Sequence, residues 1–289
     1  MKLILVLILL FSLCGCSQKA ETADIFAMDT IISLKLYGNG SKKGISEMKN
    51  EIQRIDKKFS PGAKFSVDYE IQHLIDTAND VSNATNKSFD IYMGEVMALW
   101  GFYDKNYTIP SEIEIKDALK KEKYDFGGIA KGYAGDLLKD IAIKNNVKSA
   151  ILTLGGNVVA IGKNPNGDPW KVGIANPENP TDYIGFVEVS DKNVITSGGY
   201  QRFFEQNGKI YHHIINPKTG YPAESDLSSV TIISKNGILA DALSTACFVL
   251  GKEKTLELYN SKTYDFEAVL IENNGNIITT DNANFTGKE

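Results

Sequence analysis

The chain has 289 residues and carries 31 Lys and Arg against 36 Asp and Glu, which gives a formal net charge of −5. Hydrophobic residues make up 43% and charged residues 23%, a composition that excludes collagen, low-complexity disorder and coiled coils. The sequence contains no block of basic residues, so we expect no binding to nucleic acid. The length suits one large domain or two closely packed ones with a sizeable core.

The N-terminus resembles an export signal. Lys2 precedes an apolar run over residues 3–13, which is shorter than the roughly 20 residues that a membrane-spanning helix needs. The run ends in Leu13-Cys14-Gly15-Cys16, which resembles a bacterial lipobox, where the last cysteine is lipidated and becomes the mature N-terminus. We expect a signal peptide at residues 1–15, a lipid-bearing tether at 16–24 and the functional domain at 25–289. Acyl chains such as palmitate on Cys16 would then hold the protein to the cell membrane, facing outside the cytoplasm. An ordinary secretion signal with an incidental Cys16 is the alternative.

In chain order, the body of the sequence mixes helix and strand patterns. A strand is predicted at residues 31–37, then helices at 45–59, 71–81, about 110–121 with a proline in its first turn, and 129–146. Strands follow at 150–154, 158–161, 170–175, 185–189, 194–196 and 229–234. Helices at about 237–250 and 252–259 precede a hairpin of 268–272 with 276–280. Because the two patterns do not alternate strictly, the expected class is α+β with mixed, largely antiparallel sheets and packed helices.

A glycine-rich segment at residues 125–136 lies where the helix over 129–146 begins. Backbone N–H groups and the helix dipole at such a start attract anions such as phosphate. The segment is neither a P-loop nor a GxGxxG motif after a strand. A tight turn with small residues for close packing is the alternative.

A second segment, residues 240–246, places a carboxylate and two hydroxyls on one helix face. Asp241, Ser244 and Thr245 are about one turn apart. Carboxylate, hydroxyl and carbonyl oxygens form a hard ligand set that suits Mg²⁺. Alternatively, Asp241 only interacts with the helix dipole and the hydroxyls act like caps.

Two adjacent histidines lead into a tight loop that contains Asn-Pro and Thr-Gly steps. On a strand, His212 and His213 would point in opposite directions, so at most one faces a given site. His213 could shuttle protons near neutral pH, or act only as a structural hydrogen-bonding group. A zinc site is disfavoured because His73 is isolated on a helix and Cys247 falls on an apolar helix.

Paired glycines occur after two strand patterns, at residues 154–157 and 196–200. They allow close approach of the backbone to a ligand, or simply form two turns. Ser197 lacks the G-x-S-x-G context of a hydrolase nucleophile.

Taken together, these segments resemble the FAD:protein FMN transferase family, often called ApbE. Eight elements match in the family's order and span most of the chain. They are Ala27-Met28-Asp29-Thr30, Ser88-Phe89-Asp90, Leu99-Trp100-Gly101-Phe102, and residues 125–136, 154–157, 196–200, 213–222 and 240–245.

The resemblance implies an α+β fold of two subdomains with the active site in the cleft between them. It implies Mg²⁺-dependent transfer of FMN from FAD to a Thr or Ser of an exported acceptor protein, with release of AMP; Mn²⁺ is an alternative metal. The chain has no [ST]-G-A-[ST] acceptor segment of its own, so the nucleophile would come from the partner. A FAD pyrophosphatase and a non-enzymatic FAD-binding lipoprotein are the alternative functions.

The resemblance also assigns residues. The catalytic residue is His213. The FAD contacts fall on Met28, Ser88, Phe89, Asp90, Asp125, Lys131 and the backbone near Ile215. The metal ligands fall on Asp241, Thr245, Ser244 and a backbone oxygen near Gly128 or Ala130. Lys131 stands where some members have an acidic residue and could pair with phosphate instead, and Phe59 or Ser60 is nearest to the family's aromatic flavin contact.

Overall fold

The computed structural model describes residues 19–60, 63 and 66–288. The predicted signal peptide and the predicted lipidation site at Cys16 lie outside the described residues. The helices are α1 Ser41–Phe59, α2 Tyr69–Ala84, α3 Gly94–Leu99, α4 Glu112–Ala118, α5 Ala130–Lys144, α6 Gly237–Leu250 and α7 Lys252–Asn260. The strands are β1 Ala20–Ala27, β2 Thr30–Tyr37, β3 Ser149–Leu154, β4 Asn157–Gly162, β5 Trp170–Asn176, β6 Asn179–Val189, β7 Asn193–Gly198, β8 Phe203–Gln206, β9 Lys209–His212, β10 Leu227–Ser234, β11 Glu267–Glu272, β12 Ile277–Thr279 and β13 Phe285–Gly287.

An eight-stranded sheet forms the centre of the molecule, in the order β1-β2-β3-β4-β7-β10-β11-β12. Each pair of neighbours in it is antiparallel. A three-stranded sheet, β13-β6-β5, and the hairpin β8-β9 complete the described strands. The predicted α+β class with largely antiparallel sheets is therefore confirmed.

The central strands of the large sheet are buried on both faces. On one face, α1 and α5 cover β2, β3 and β4, while α6 and α7 cover β7, β10 and β11, and α2 packs against α6. On the other face the large sheet packs against the three-stranded sheet. Strand β11 shows the consequence in its sequence: Ala268 and Leu270 face the helices, whereas Val269 and Ile271 face the small sheet. Because successive side chains alternate between two buried faces, residues 268–271 of the strand are all apolar, and its two glutamates stand at its ends.

A smaller core flanks these layers. It joins α3, α4 and the β8-β9 hairpin around Trp100, which is fully buried. The indole N–H of Trp100 donates a hydrogen bond to the carbonyl of Gly220, 2.8 Å away, and so ties this unit to the tight loop that follows the histidines. Phe204 and Tyr211 of the hairpin stack on one another beside it, with ring centroids 5.2 Å apart.

Two predicted boundaries differ from the structure. Helix α4 begins at Glu112, because Ser111 and Glu114 form a reciprocal capping box, so Pro110 precedes the helix and does not lie in its first turn. Residues 20–24 were expected to belong to the tether, but they are part of β1, where Asp24 pairs with Ser33. The backbone of this polar segment finds its hydrogen-bond partners along β2, which is why it is ordered as a strand.

The starts of α5 and α6 are in direct contact. A Cβ atom on Gly132 would lie 2.1 Å from the carbonyl oxygen of Gly237 and 2.7 Å from Cβ of Asp241. The N–H of Gly132 donates to the Asp241 carboxylate at 2.8 Å. The Asp136 carboxylate accepts from the backbone N–H groups of Gly237 and Ile238, at 2.8 and 2.9 Å. Charge and close packing therefore fix the beginning of α6 against α5.

Gly132→Ala should separate these two helix starts. The added methyl group collides with backbone atoms that cannot move aside, so we expect a loss of about 1–3 kcal/mol in the free energy of unfolding, measured with urea. Gly173→Ala in β5 is the matched control, because the nearest atom to its added Cβ is 3.7 Å away. Equal stability of the two variants would contradict the contact.

Candidate functional site

A corner between Gly128 and α6 brings three of the predicted residues together. A Cβ atom on Gly128 would lie 3.5 Å from Oγ1 of Thr245 and 2.9 Å from Cε2 of Phe89. The absence of a side chain at residue 128 thus leaves its backbone open toward the Thr245 hydroxyl. Phe89 is buried and forms the apolar wall of the corner.

Oxygen atoms line the side of this corner that α6 contributes. Asp241 is almost completely buried, with 4% of its surface exposed, and Ser244 is fully buried. The Ser244 hydroxyl donates to the backbone carbonyl of Asp241 at 2.8 Å. Ser197, at the end of β7, places its Oγ 2.8 Å from Oγ of Ser244 and 3.3 Å from Oγ1 of Thr245. The three hydroxyls are therefore linked by contacts of 2.8 and 3.3 Å, and the two on α6 lie one helical turn from Asp241, whose carboxylate accepts the N–H of Gly132.

The chemistry of this donor set fits a hard cation. Within the described ranges, no three His, Cys, Asp or Glu side chains form a cluster that could hold a metal ion. A site built around Asp241 would thus have a single carboxylate, completed by hydroxyl and carbonyl oxygens. Mg²⁺ accepts such a set, because it commonly takes one or two carboxylates together with water and substrate phosphate. A structural zinc site would need more nitrogen or sulfur ligands.

The glycine-rich segment before α5 is held by its own hydrogen bonds. Gly127 N–H donates to the Asp125 carboxylate at 2.7 Å, and the N–H groups of Ile129 and Ala130 donate to the carbonyl of Phe126. These three N–H groups are already bonded within the turn, so they are not free for the anion expected at this helix start. The ammonium of Lys131, 3.2 Å from the Gly127 carbonyl, is the cationic group on this turn.

The surroundings of Asp125 shift the pKa of its carboxyl in opposite directions. Burial raises the pKa of the Asp125 carboxyl, while the Gly127 N–H, the Tyr103 hydroxyl and the charges of Lys131 and Arg202 oppose that rise. The pKa of the Tyr103 phenol is raised by burial and by the neighbouring Asp125. Two cations and a partly buried carboxyl therefore lie near the turn.

The two histidines differ in what their ring nitrogens contact. In His212, Nε2 lies 3.1 Å from the Ala223 carbonyl and Nδ1 accepts the N–H of Ile214, so both nitrogens are used. In His213, Nδ1 lies 3.1 Å from the Arg202 carbonyl. A carbonyl can only accept, which assigns the proton to Nδ1 and leaves Nε2 of His213 as the acceptor nitrogen. Burial, and next the positive charge of Arg202, lower the pKa of His213 to about 3.

Arg202 is a residue that the sequence analysis did not single out. Its guanidinium forms an ion pair with Asp29, with Nη2 and Oδ2 2.7 Å apart, and Lys105 lies 3.8 Å from the other carboxylate oxygen. Its carbonyl accepts from both the backbone N–H and the ring of His213. Arg202 is one of only two arginines in the sequence, which is the signal that could have drawn attention to it.

Met28 and Asp29 form the two-residue turn between β1 and β2, with φ of 53° and 57°. Two consecutive positive φ values are typical of a tight hairpin turn. The turn is held from two sides, because the Met28 N–H donates to Asp56 at 2.6 Å and Asp29 pairs with Arg202. Met28, the predicted flavin contact, is therefore the chain neighbour of Asp29, which pairs with Arg202, and the Arg202 carbonyl contacts His213.

For the remaining predicted residues the structure shows local roles. Ser88 is buried, Asp90 accepts the N–H of Tyr92 at 2.9 Å, and Ile215 belongs to the small core around Trp100. Phe59, at the end of α1, packs edge-on against Phe126 with ring centroids 5.3 Å apart.

Comparison with known proteins finds similarity along most of the chain. The model of the ApbE family matches residues 28–270. A FAD:protein FMN transferase of Klebsiella pneumoniae (strain 342) is 31% identical over 235 residues, which cover 74% of this chain and 72% of that protein. The crystal structure of the ApbE protein from Thermotoga maritima superimposes with a TM-score of 0.81 at 30% identity, covering 91% of this chain and 97% of that one. The apo flavinyl transferase ApbE of Pseudomonas stutzeri gives a TM-score of 0.77 at 27% identity, over 91% and 94% of the two chains.

His213→Asn should make the protein less sensitive to acid. An unfolded histidine titrates near pH 6.5, whereas the pKa of His213 in the fold is about 3. Between these values the unfolded chain binds the extra proton, so the free energy of unfolding falls as the pH falls. In the variant, this dependence should be shallower by up to one proton, measured by urea unfolding from pH 7 to pH 4. Superimposable curves for variant and wild type would contradict the depressed pKa.

Proposed function

The chain belongs to the ApbE family, and we propose that it transfers FMN from FAD to a Thr or Ser hydroxyl of another exported protein, with Mg²⁺ bound at the corner formed by Gly128 and α6. The observation that supports this proposal most directly is the approach of Thr245 Oγ1 to Gly128, next to the buried Asp241. Two segments that are more than a hundred residues apart in sequence thereby form one oxygen-lined corner. The similarity to named FAD:protein FMN transferases supports the same reaction.

The proposed reaction is a phosphoryl transfer. The hydroxyl oxygen of the acceptor forms a bond to the phosphorus of the FMN half of FAD. The bond between that phosphorus and the bridging oxygen breaks, and AMP leaves with the bonding electrons. The hydroxyl proton goes to Nε2 of His213, which the hydrogen bond from Nδ1 to the Arg202 carbonyl leaves unprotonated.

The chain's own residues would mainly position the reacting groups and neutralise their negative charge, which is most of what phosphoryl transfer requires. Lys131 and Arg202 supply positive charge beside Asp125 and His213. Asp241 and Thr245, with Ser244 and the backbone near Gly128, would hold Mg²⁺. When bound, the ion would neutralise pyrophosphate oxygens and stabilise the departing phosphate. The apolar wall of Phe89 would limit access of water to the corner.

His213 is neutral at pH 7 in the structure, which is the protonation state that a general base needs. Its pKa of about 3 reflects burial and the nearby Arg202 charge. Negatively charged phosphate groups that pair with Arg202 and Lys131 would oppose this effect and raise the pKa of His213. On this proposal the residue becomes an effective base only when the dinucleotide is present.

Incubation of the purified protein with FAD, Mg²⁺ and an exported acceptor protein tests the function. We expect a flavin-fluorescent acceptor band in a denaturing gel and one AMP released per flavin attached. Release of FMN and AMP without a labelled band would instead identify a FAD pyrophosphatase. Tight FAD binding without any release of AMP, whether or not the acceptor protein is added, would identify a non-enzymatic FAD-binding lipoprotein.

Two variants that each replace one carboxylate by an amide test whether AMP release depends on the proposed metal site. Asp241→Asn keeps the side-chain shape but removes the carboxylate proposed for the metal, so AMP release should fall by at least about 100-fold. Asp140→Asn makes the same change at an exposed position of α5 and should leave the rate within about twofold. A rate that is unaffected by Asp241→Asn would contradict the proposed metal site.

We further propose that the protein is attached to the outer face of the cell membrane through a lipid on Cys16. Within the described residues, no helix is long and apolar enough to cross a membrane. The lipobox-like Leu13-Cys14-Gly15-Cys16 supports the anchor.

Cys16→Ala should therefore move the protein from the membrane to the soluble fraction after cell fractionation. Cys14→Ala, two positions earlier, should leave it at the membrane, because residue 14 would be removed with the signal peptide. Membrane retention of both variants would argue against lipidation at Cys16.

A further inference from the structure

Ser197 has no part in the function proposed above, yet its hydroxyl lies between the two hydroxyls of α6. It is 2.8 Å from Oγ of Ser244 and 3.3 Å from Oγ1 of Thr245. The serine comes from the end of β7, and its partners are 47 and 48 residues further along the chain. The contact therefore joins the central sheet to the face of α6 that carries Asp241.

The direction of each hydrogen bond in this group follows from counting protons. A hydroxyl has one hydrogen to donate. Ser244 donates its hydrogen to the backbone carbonyl of Asp241, 2.8 Å away, because a carbonyl can only accept. The hydrogen between Ser197 and Ser244 must then come from Ser197. The hydrogen between Thr245 and Ser197 must in turn come from Thr245.

Burial makes this order difficult to reverse. Ser244 is fully buried, and Asp241 is 4% exposed, so no bulk water can replace the acceptor carbonyl of Asp241. Turning the Ser244 hydroxyl around would leave that bond unmade in a buried place, which costs more than an ordinary hydrogen bond contributes. The chain from Thr245 to Ser197 to Ser244 to the Asp241 carbonyl thus has one favoured polarity.

We infer that Ser197 is a positioning residue that turns the Thr245 hydroxyl hydrogen inward, so that the lone pairs of Thr245 Oγ1 are presented to the cation. A hydroxyl that pointed its hydrogen outward would repel a cation, and it would have to rotate before it could act as a ligand. The hydrogen bond to Ser197 fixes the orientation in advance. This inference rests on the proposed metal site, because it concerns how one of its expected ligands is oriented.

Strand β7 offers a matched control for the cost of losing a hydroxyl. Thr196, the residue before Ser197, forms a hydroxyl-to-hydroxyl contact with Thr231 at 2.8 Å. Successive side chains of a strand point to opposite faces, so this contact lies on the side of β7 away from α6. Thr196→Val breaks a bond of the same chemistry without touching Thr245.

Mn²⁺ titration of the purified protein, followed by the electron paramagnetic resonance signal of the free ion, measures the predicted effect. Ser197→Ala should weaken Mn²⁺ binding about 3- to 10-fold, the value of roughly one hydrogen bond, while Thr196→Val should change it less than twofold. In a Thr245→Val background, Ser197→Ala should have no further effect, because the hydroxyl that Ser197 orients is already absent. Wild-type affinity in Ser197→Ala, or losses that simply add in the double variant, would overturn the inference.

AMP release supplies a second measurement that a purely structural defect would not reproduce. Ser197→Ala should raise the Mg²⁺ concentration needed for half-maximal AMP release, with little change in the maximal rate. Ser197→Cys, which keeps a weakly hydrogen-bonding side chain, should lie between the alanine variant and the wild type, and it serves as the test if the alanine variant fails to fold. A lowered maximal rate with an unchanged Mg²⁺ requirement would contradict the positioning role.

The outcomes separate this inference from the proposed function. If the wild-type protein neither retains Mn²⁺ nor needs a divalent cation for AMP release, the metal site itself is wrong. If the wild type responds to the metal and the Ser197 variants respond equally, only the orientation of Thr245 by Ser197 is wrong.

Discussion

The close contact between the starts of α5 and α6 is the constraint on which the candidate site depends. Gly132 has no side chain, so the carbonyl of Gly237 can approach where a Cβ would stand. At this distance the N–H of Gly132 reaches the Asp241 carboxylate. A buried carboxylate without a hydrogen-bond partner would be very costly, and here the neighbouring helix supplies that partner. The same contact brings the turn at Gly128 against Thr245, so the packing of two helices also builds the corner.

Asp136 and Asp241 lie near the same helix start but have different roles: Asp136 binds backbone N–H groups of the helix, and Asp241 is the proposed metal ligand. Asp136 accepts two backbone N–H groups at the start of α6, whose N-cap residue is Asn236; this structural role balances the helix dipole. Asp241 accepts one N–H group, from α5. A carboxylate has about four lone-pair positions, so Asp241 keeps more of its capacity for a ligand than Asp136 does. The difference explains why the metal is proposed at Asp241, although both residues are acidic and lie near the same helix start.

The spacing of apolar residues predicted those helices and strands that bury one apolar face. The spacing of Ile45, Met48, Ile52 and Ile55 predicted α1, and all four are buried. The α+β class followed from the irregular order of such elements. The hairpin β8-β9 was not predicted, because its strands alternate only weakly and two of its apolar residues, Phe203 and Ile210, are exposed. Strand β1 was missed for a similar reason, since polar residues occupy much of it and its order comes from pairing with β2.

The site was predictable where its chemistry is contained in one segment. Asp241, Ser244 and Thr245 share a helix face by spacing alone, and the glycine-rich segment 125–136 lies at a helix start, whereas only the family resemblance implied a metal ligand near Gly128 or Ala130. Contacts between distant segments gave no such signal: Arg202 reaches Asp29 across 173 positions, and Ser197 reaches Ser244 across 47. Only the fold brings these pairs together, because neither partner has a local pattern that specifies the other.

The fold also brings positively charged side chains together at the site. The chain as a whole is acidic, with a net charge of −5, yet Lys131 and Arg202 converge near Asp125 and His213. Asp29 pairs with Arg202 and partly compensates it in the absence of a ligand. A pyrophosphate would compete with Asp29 for the guanidinium and would reverse the local sign of charge at His213. An acidic surface and a locally basic corner are therefore compatible with an anionic substrate, since attraction is needed only where the phosphates bind. In the proposed reaction, the proton acceptor and the phosphate groups would be coupled through the same two cations, so that substrate binding would raise the basicity of His213.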